Sequence, residues 1–192
     1  MNQGYTVAVV GDSFVRRLRD YLHENDIAHL ALDDVRVEFF GRGGSQVPHI
    51  NIRQIRALGP DVVVVHVGSN NLCSLSAPEV FTRLRNLVKD LQDAWPAGTI
   101  CICTVIKRRG VGTRRASSGY NERVDVLNGL LTHHFRNSQV RVWKHPENLH
   151  RHLCEDGIHM DDEVRPPHVT SGQCRFYRSI RTAVLDRLHT IQ

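Results

Sequence analysis

The sequence predicts an α/β protein, a three-layer α/β/α sandwich built on a five-stranded parallel sheet. Five short β-branched runs alternate with segments of helical period. The stretch Asp61 to Val67 contains an unbroken valine run, as expected for a central strand covered on both faces. Several of the predicted strands end in glycine or small polar residues, at the edge where such sheets bind ligands.

The first strand is Thr6 to Val10, closed by Gly11, and a helix follows from Phe14 to Leu22. Val35 to Phe40 is the second strand, closed by Gly41-Arg42-Gly43-Gly44. Ile50 to Leu58 has apolar residues at Ile52, Ile55 and Leu58, a helical spacing that Gly59-Pro60 terminates. After the third strand, Ser76-Ala77-Pro78-Glu79 is a capping box, in which Ser76 caps and Glu79 reaches back. The helix it opens carries Val80, Phe81, Leu84, Leu87, Val88 and Leu91 on one face and stops at Pro96. Thr99 to Ile106 is the fourth strand, Asn121 to Phe135 a helix, and Val140 to Trp143 the fifth strand. A last helix, from about Gly172 to His189, buries Phe176, Tyr177, Ile180, Val184 and Leu188. The whole is of flavodoxin-like size. Two irregular segments, Lys107 to Ser118 and Lys144 to Thr170, are long enough to suggest function or mobility.

The 192 residues fit one domain, with a core over about residues 6–188. Hydrophobic residues at 41% and charged residues at 23% exclude a disordered or fibrous chain. The longest apolar stretch, around Val62 to Val65, is far short of a membrane span. Met1 to Tyr5 lacks a basic-then-apolar signal, and an odd count of five cysteines without a CxxC pair suggests reduced thiols. An intracellular, cytoplasmic chain is therefore expected. Cys101 and Cys103 share one strand face and read as core residues. With only three lysines, 22 of the 25 basic residues are arginine, and the net charge is +5. Arginine suits bidentate phosphate contacts, so RNA or an anionic membrane surface is a candidate partner beside a solvated surface.

A hydrolytic site needs a nucleophile, a base, an acid partner for that base, and donors for an oxyanion. Ser13 supplies a hydroxyl at a strand-to-helix turn, His159 can accept its proton, and Asp156, three residues earlier, can fix the imidazole tautomer. Donors would be the Ser13 N–H, an N–H of the Gly43-Gly44 turn, and the Asn70 amide. Taken singly, these features have blander readings. Ser13 could cap a helix, Asp12 could brace its turn, and the glycine turn could be a tight connection or a phosphate cradle. No GxGxxG follows the first strand, and no Walker sequence occurs. The spacing of His150, His152, Cys154 and His159 does not match a structural zinc pattern, so no metal is expected.

Gly11-Asp12-Ser13, the Gly43-Gly44 turn, Gly68-Ser69-Asn70 and Asp156-x-x-His159 resemble the four ordered motifs of the SGNH/GDSL hydrolases. The resemblance runs from Thr6 to about Leu188, and its flavour is similar to animal and retrotransposon-type SGNH-like esterase domains. It implies a serine esterase without metal or organic cofactor, acting on a small-molecule or lipid ester. Ser13, Asp156 and His159 would be its triad, and Ser13, Gly44 and Asn70 its oxyanion hole. Asn71 stands where the family usually has aspartate, which is expected to loosen the placement of Asn70. Pro166-Pro167, in a long segment after His159, is expected to shape a substrate wall. In the basic stretch after the fourth strand, Lys107, Arg108, Arg109, Arg114 and Arg115 are candidate contacts to substrate or phosphate. The rival reading is an SGNH-like module that binds nucleic acid or anionic lipid, with weak or vestigial hydrolysis.

Overall fold

The computed structural model describes residues 4–96, 98–109, 119–164 and 170–191. Five parallel strands, β1 (Tyr5–Gly11), β2 (Val35–Gly41), β3 (Val62–His66), β4 (Thr99–Cys103) and β5 (Arg141–Trp143), lie in the order β2-β1-β3-β4-β5. The helices are α1 (Ser13–Glu24), α2 (Ile52–Leu58), α3 (Ala77–Ala94), α4 (Tyr120–His134) and α5 (Gly172–Leu188).

Side chains alternate across each strand and feed two cores. Ala8, Val10, Val63, Val65, Ile100 and Ile102 face the layer of α2, α3 and α4. Val7, Val9, Val62, Val64, Cys101 and Cys103 face α1 and α5, with Phe176 and Ile180 fully buried among them. Because β1 and β3 are covered on both faces, their residues read as continuous apolar runs. Among the described residues, no helix is long and apolar enough to cross a membrane.

Helix ends follow the local chemistry. The capping box at α3 is formed, with Ser76 N donating to Glu79 at 2.9 Å and Ser76 Oγ at 2.6 Å. Two segments depart from expectation. β4 stops at Cys103 although Thr104-Val105-Ile106 continues the β-branched pattern, because β5 offers no partner beyond Trp143. The backbone of Val105 pairs instead with the Asn128 side-chain amide of α4, which accepts from its N–H and donates to its carbonyl, both at 2.9 Å. Asn121, about two turns earlier on the same helix, pairs with the backbone of Arg108 in the same way, again at 2.9 Å in both directions. The stretch after β5 is also more regular than the sequence suggests. It holds a 3-10 helix over Glu147–His152 and an antiparallel bridge between Leu153 and Met160.

Candidate active site

The carboxyl edge of the sheet is drawn tight around the start of α1. At Gly11, which ends β1, an added Cβ would sit 2.1 Å from the His66 carbonyl oxygen of β3, so only glycine fits. Asp12 follows, fully buried, and caps α1 by accepting from Phe14 N at 3.0 Å. Ser13 is thereby held at the first turn of the helix.

His159 reaches Ser13 from the bridge segment after β5. Asp156 closes a tight turn, its Oδ1 accepting from Ile158 N at 2.8 Å and His159 N at 2.9 Å. Its Oδ2 lies 2.6 Å from His159 Nδ1, and His159 Nε2 lies 3.1 Å from Ser13 Oγ. Partial burial pushes the Asp156 carboxyl up, but the bonds from the His159 backbone and ring and from Ile158 N outweigh it and leave it below its ordinary value. The side chains of His159 and Asp156 remain 22% and 42% exposed, so the line of groups opens to solvent.

The loops after β2 and β3, at the same edge of the sheet, are tied to each other. Gly44 has φ +72°, in the left-handed region, and belongs to the turn after β2. Asn70 Nδ2 donates to Ser45 O at 2.9 Å, while Asn71 Oδ1 accepts from Val47 N at 3.0 Å. Asn71 thus supplies an acceptor between the two loops, despite replacing the family's aspartate. Its Nδ2 is buried and has no hydrogen-bond partner among the described residues.

Three residues of the basic stretch, read from sequence as candidate contacts to substrate or phosphate, have partners within the protein. Lys107 pairs with Asp125 at 2.8 Å. Arg109 holds the turn that carries Asp156, through its N–H to Gly157 O at 3.0 Å and its guanidinium to Cys154 O at 2.7 Å. Arg108 is 5% exposed and stacks over Tyr120, because Asn121 draws its backbone against α4. Arg114, Arg115 and Pro166-Pro167 lie outside the described residues. A separate cleft of about 940 Å³, lined by Lys107, Arg136, Lys144 and His150 among others, contains none of Ser13, Asp156 and His159.

Sequence reasoning missed the residues beneath the site. Ser69 Oγ donates to Asp12 Oδ2 at 3.0 Å. His66 packs against Phe14 at 5.2 Å, Phe176 at 5.1 Å and His145 at 5.2 Å between ring centroids. Neither of its ring nitrogens has a hydrogen-bond partner among the described residues. A histidine ending an all-valine strand was the available signal. Burial pushes His66 down from 6.5 to about 4 and pushes Asp12 up from 3.8 to about 6, against bonds from Phe14 and Ser69 and the charge of Arg108.

These two groups act on stability with opposite sign. Unfolding below pH 6.5 lets His66 take up a proton, so its contribution is lost as pH falls towards 4. Asp12 holds its proton in the folded state up to about pH 6, so its contribution grows on acidification. Asp12→Asn removes the second effect. Between pH 6 and 4, the stability of the variant relative to the wild type is expected to fall by about 2 kcal/mol. Urea unfolding at the two pH values measures it, and parallel pH dependences would contradict it.

A serine hydroxyl, an imidazole and a carboxylate in line at the carboxyl edge of this sheet agree with the SGNH class of hydrolases. The model of the GDSL-like lipase/acylhydrolase family matches residues 3–164, and the chain belongs to that family. No curated protein matches it in sequence. Among solved structures, it is similar to a GDSL-like lipase from Bacteroides thetaiotaomicron, at 12% identity and TM-score 0.70, over 95% of this chain and 88% of the other. A carbohydrate esterase family 3 protein from Talaromyces cellulolyticus superposes at TM-score 0.68 and 13% identity, over 98% of this chain and 100% of its own. A lipase/acylhydrolase from Enterococcus faecalis does so at 0.66 and 17%, over 95% and 96%. At these identities the likeness concerns the fold.

Proposed function

We propose that the protein is a serine esterase that cleaves carboxylic esters, acetyl or longer acyl, through an acyl-enzyme on Ser13. The observation that carries this reading is the unbroken line Ser13 Oγ, His159 Nε2, His159 Nδ1, Asp156 Oδ2, with gaps of 3.1 and 2.6 Å. With Asp156 accepting from Nδ1–H, the lone pair of Nε2 faces Ser13 and accepts its hydroxyl proton as Oγ attacks the acyl carbon. The imidazolium then returns that proton to the leaving alcohol. Water, deprotonated by His159, attacks the acyl-enzyme, and the acid departs as Ser13 regains its proton.

The tetrahedral oxyanion would take hydrogen bonds from the N–H of Ser13, the N–H of Gly44 and the Asn70 amide. One N–H of that amide is bonded to Ser45 O, which orients the group and leaves the other for substrate. Asn70→Ala is expected to lower kcat by roughly 10²–10³ with a smaller change in KM. Steady-state kinetics on p-nitrophenyl acetate would check it, and a loss confined to KM would remove Asn70 from the oxyanion hole.

Hydrolysis of p-nitrophenyl acetate and longer-chain homologues tests the reading as a whole. Turnover above background that a fluorophosphonate abolishes by labelling Ser13 supports it, and background rates for every chain length count against it. Contact with RNA or an anionic membrane has less support, because Lys107, Arg108 and Arg109 are engaged within the protein.

A further inference from the structure

Arg108 is a buried guanidinium against the loop that carries Ser69 and Asn70. Its charged carbon lies 4.3 Å above the Tyr120 ring, its Nη1 is 3.1 Å from Cys73 Sγ, and its Nη2 is 3.5 Å from Ser69 O. Tyr120 Oη donates to the same Ser69 carbonyl at 3.3 Å. Ser69 in turn donates its hydroxyl to Asp12, which caps α1. Asp12 immediately precedes Ser13, and Ser69 immediately precedes Asn70. One connected set of side chains therefore runs from α4 through the loop after β3 to the N-terminus of α1. It passes behind two of the groups assigned above to the chemistry.

We propose that Arg108 is a positioning residue: acting through Ser69 and Asp12, and seated on Tyr120, it fixes the Asn70 amide relative to Ser13. The proposal rests on the reading of Ser13 as nucleophile and Asn70 as oxyanion donor. Asp12 is a fully buried carboxylate, and a buried charge is costly without a partner of opposite sign. Arg108 provides that sign and favours the ionised form of Asp12, against a burial that raises it to about 6. Tyr120 also faces this carboxylate, with Cys73 against Arg108 and His66 and His159 near the Phe14 ring. Burial keeps the Tyr120 phenol and the His66 imidazole neutral near pH 7, and Arg108 is the cation whose charge lowers the Asp12 pKa. Ionised Asp12 accepts from both Ser69 Oγ and Phe14 N. Protonated, it gives up an acceptor and slackens the link.

The test compares wild type, Arg108→Met and Arg108→Lys on p-nitrophenyl acetate across pH. The Met variant is expected to lose roughly 10-fold to 100-fold in kcat with little change in KM. The acid limb of its profile should move to higher pH as Asp12 loses its counter-charge. The Lys variant keeps the charge and should hold the acid limb in place while losing part of kcat. In Asp12→Asn/Arg108→Met the moved limb should disappear. A carbon-13 NMR titration of Asp12 in wild type and variant reads the charge coupling without turnover, and an unmoved Asp12 titration or an unmoved acid limb overturns the proposal. If Arg108→Met does not fold, Tyr120→Phe replaces it, with a loss of kcat expected at constant KM and an unchanged kcat overturning the proposal. Loss of the esterase reading itself would appear separately, as wild-type turnover that does not depend on Ser13.

Discussion

Ser13→Ala is expected to lower kcat/KM for p-nitrophenyl acetate by roughly 10⁴ or more, leaving the residual rate that binding and oxyanion donors alone provide. The substitution removes one oxygen at the first turn of α1. It leaves intact the cap from Asp12 to Phe14 N and the Asp12–Ser69 bond. Ser13 is itself only half-buried, so its loss gives the fold little reason to change and melting temperature should stay close to that of the wild type. Rate loss at constant stability is what separates a nucleophile from a helix cap. Equal rates in the two proteins would leave Ser13 in the second role, which Asp12 already fills.

Asp156→Asn ranks next, with an expected fall in kcat on the order of 10³–10⁴. An amide at this position still offers an acceptor to Ile158 N and His159 N, so the turn can persist. What changes is the atom facing His159 Nδ1. An N–H presented there at the present 2.6 Å spacing favours the tautomer protonated on Nε2, which cannot accept from Ser13. If Asp156 served only as a solvent-screened counter-ion, its 42% exposure would limit the loss to less than tenfold. The size of the effect, read from kcat with the acetyl ester, therefore decides between tautomer control and simple charge.

Much of this arrangement was legible in the sequence because its parts are local. Gly11-Asp12-Ser13 and Asp156-x-x-His159 each make one turn, and a β-branched run marks the strand that ends at the first of them. The helix faces were legible from their period, and α3 from its capping box. Arg108 was not legible. A run of arginines after a strand looks solvated, and its burial depends on an aromatic ring from α4 and a sulfur from another loop. The end of β4 was hidden for a similar reason. Val105 and Ile106 have strand propensity, but ladder length is set by the short β5 and by the Asn128 amide that takes over the pairing. Ser69 gave no sign, since a serine in a glycine-rich loop has many uses.

The loops after β2 and β3 are joined by two bonds running in opposite senses, from Asn70 to Ser45 O and from Val47 N to Asn71. A single bond would act as a hinge, about which one loop could swing while the other stayed fixed. Two bonds close a small ring, so Gly44 and Asn70 shift together or not at all. The entropic cost of aligning the two proposed donors is then met during folding, before any ester arrives. Catalysis is left with the smaller task of placing the substrate against a frame that is already set.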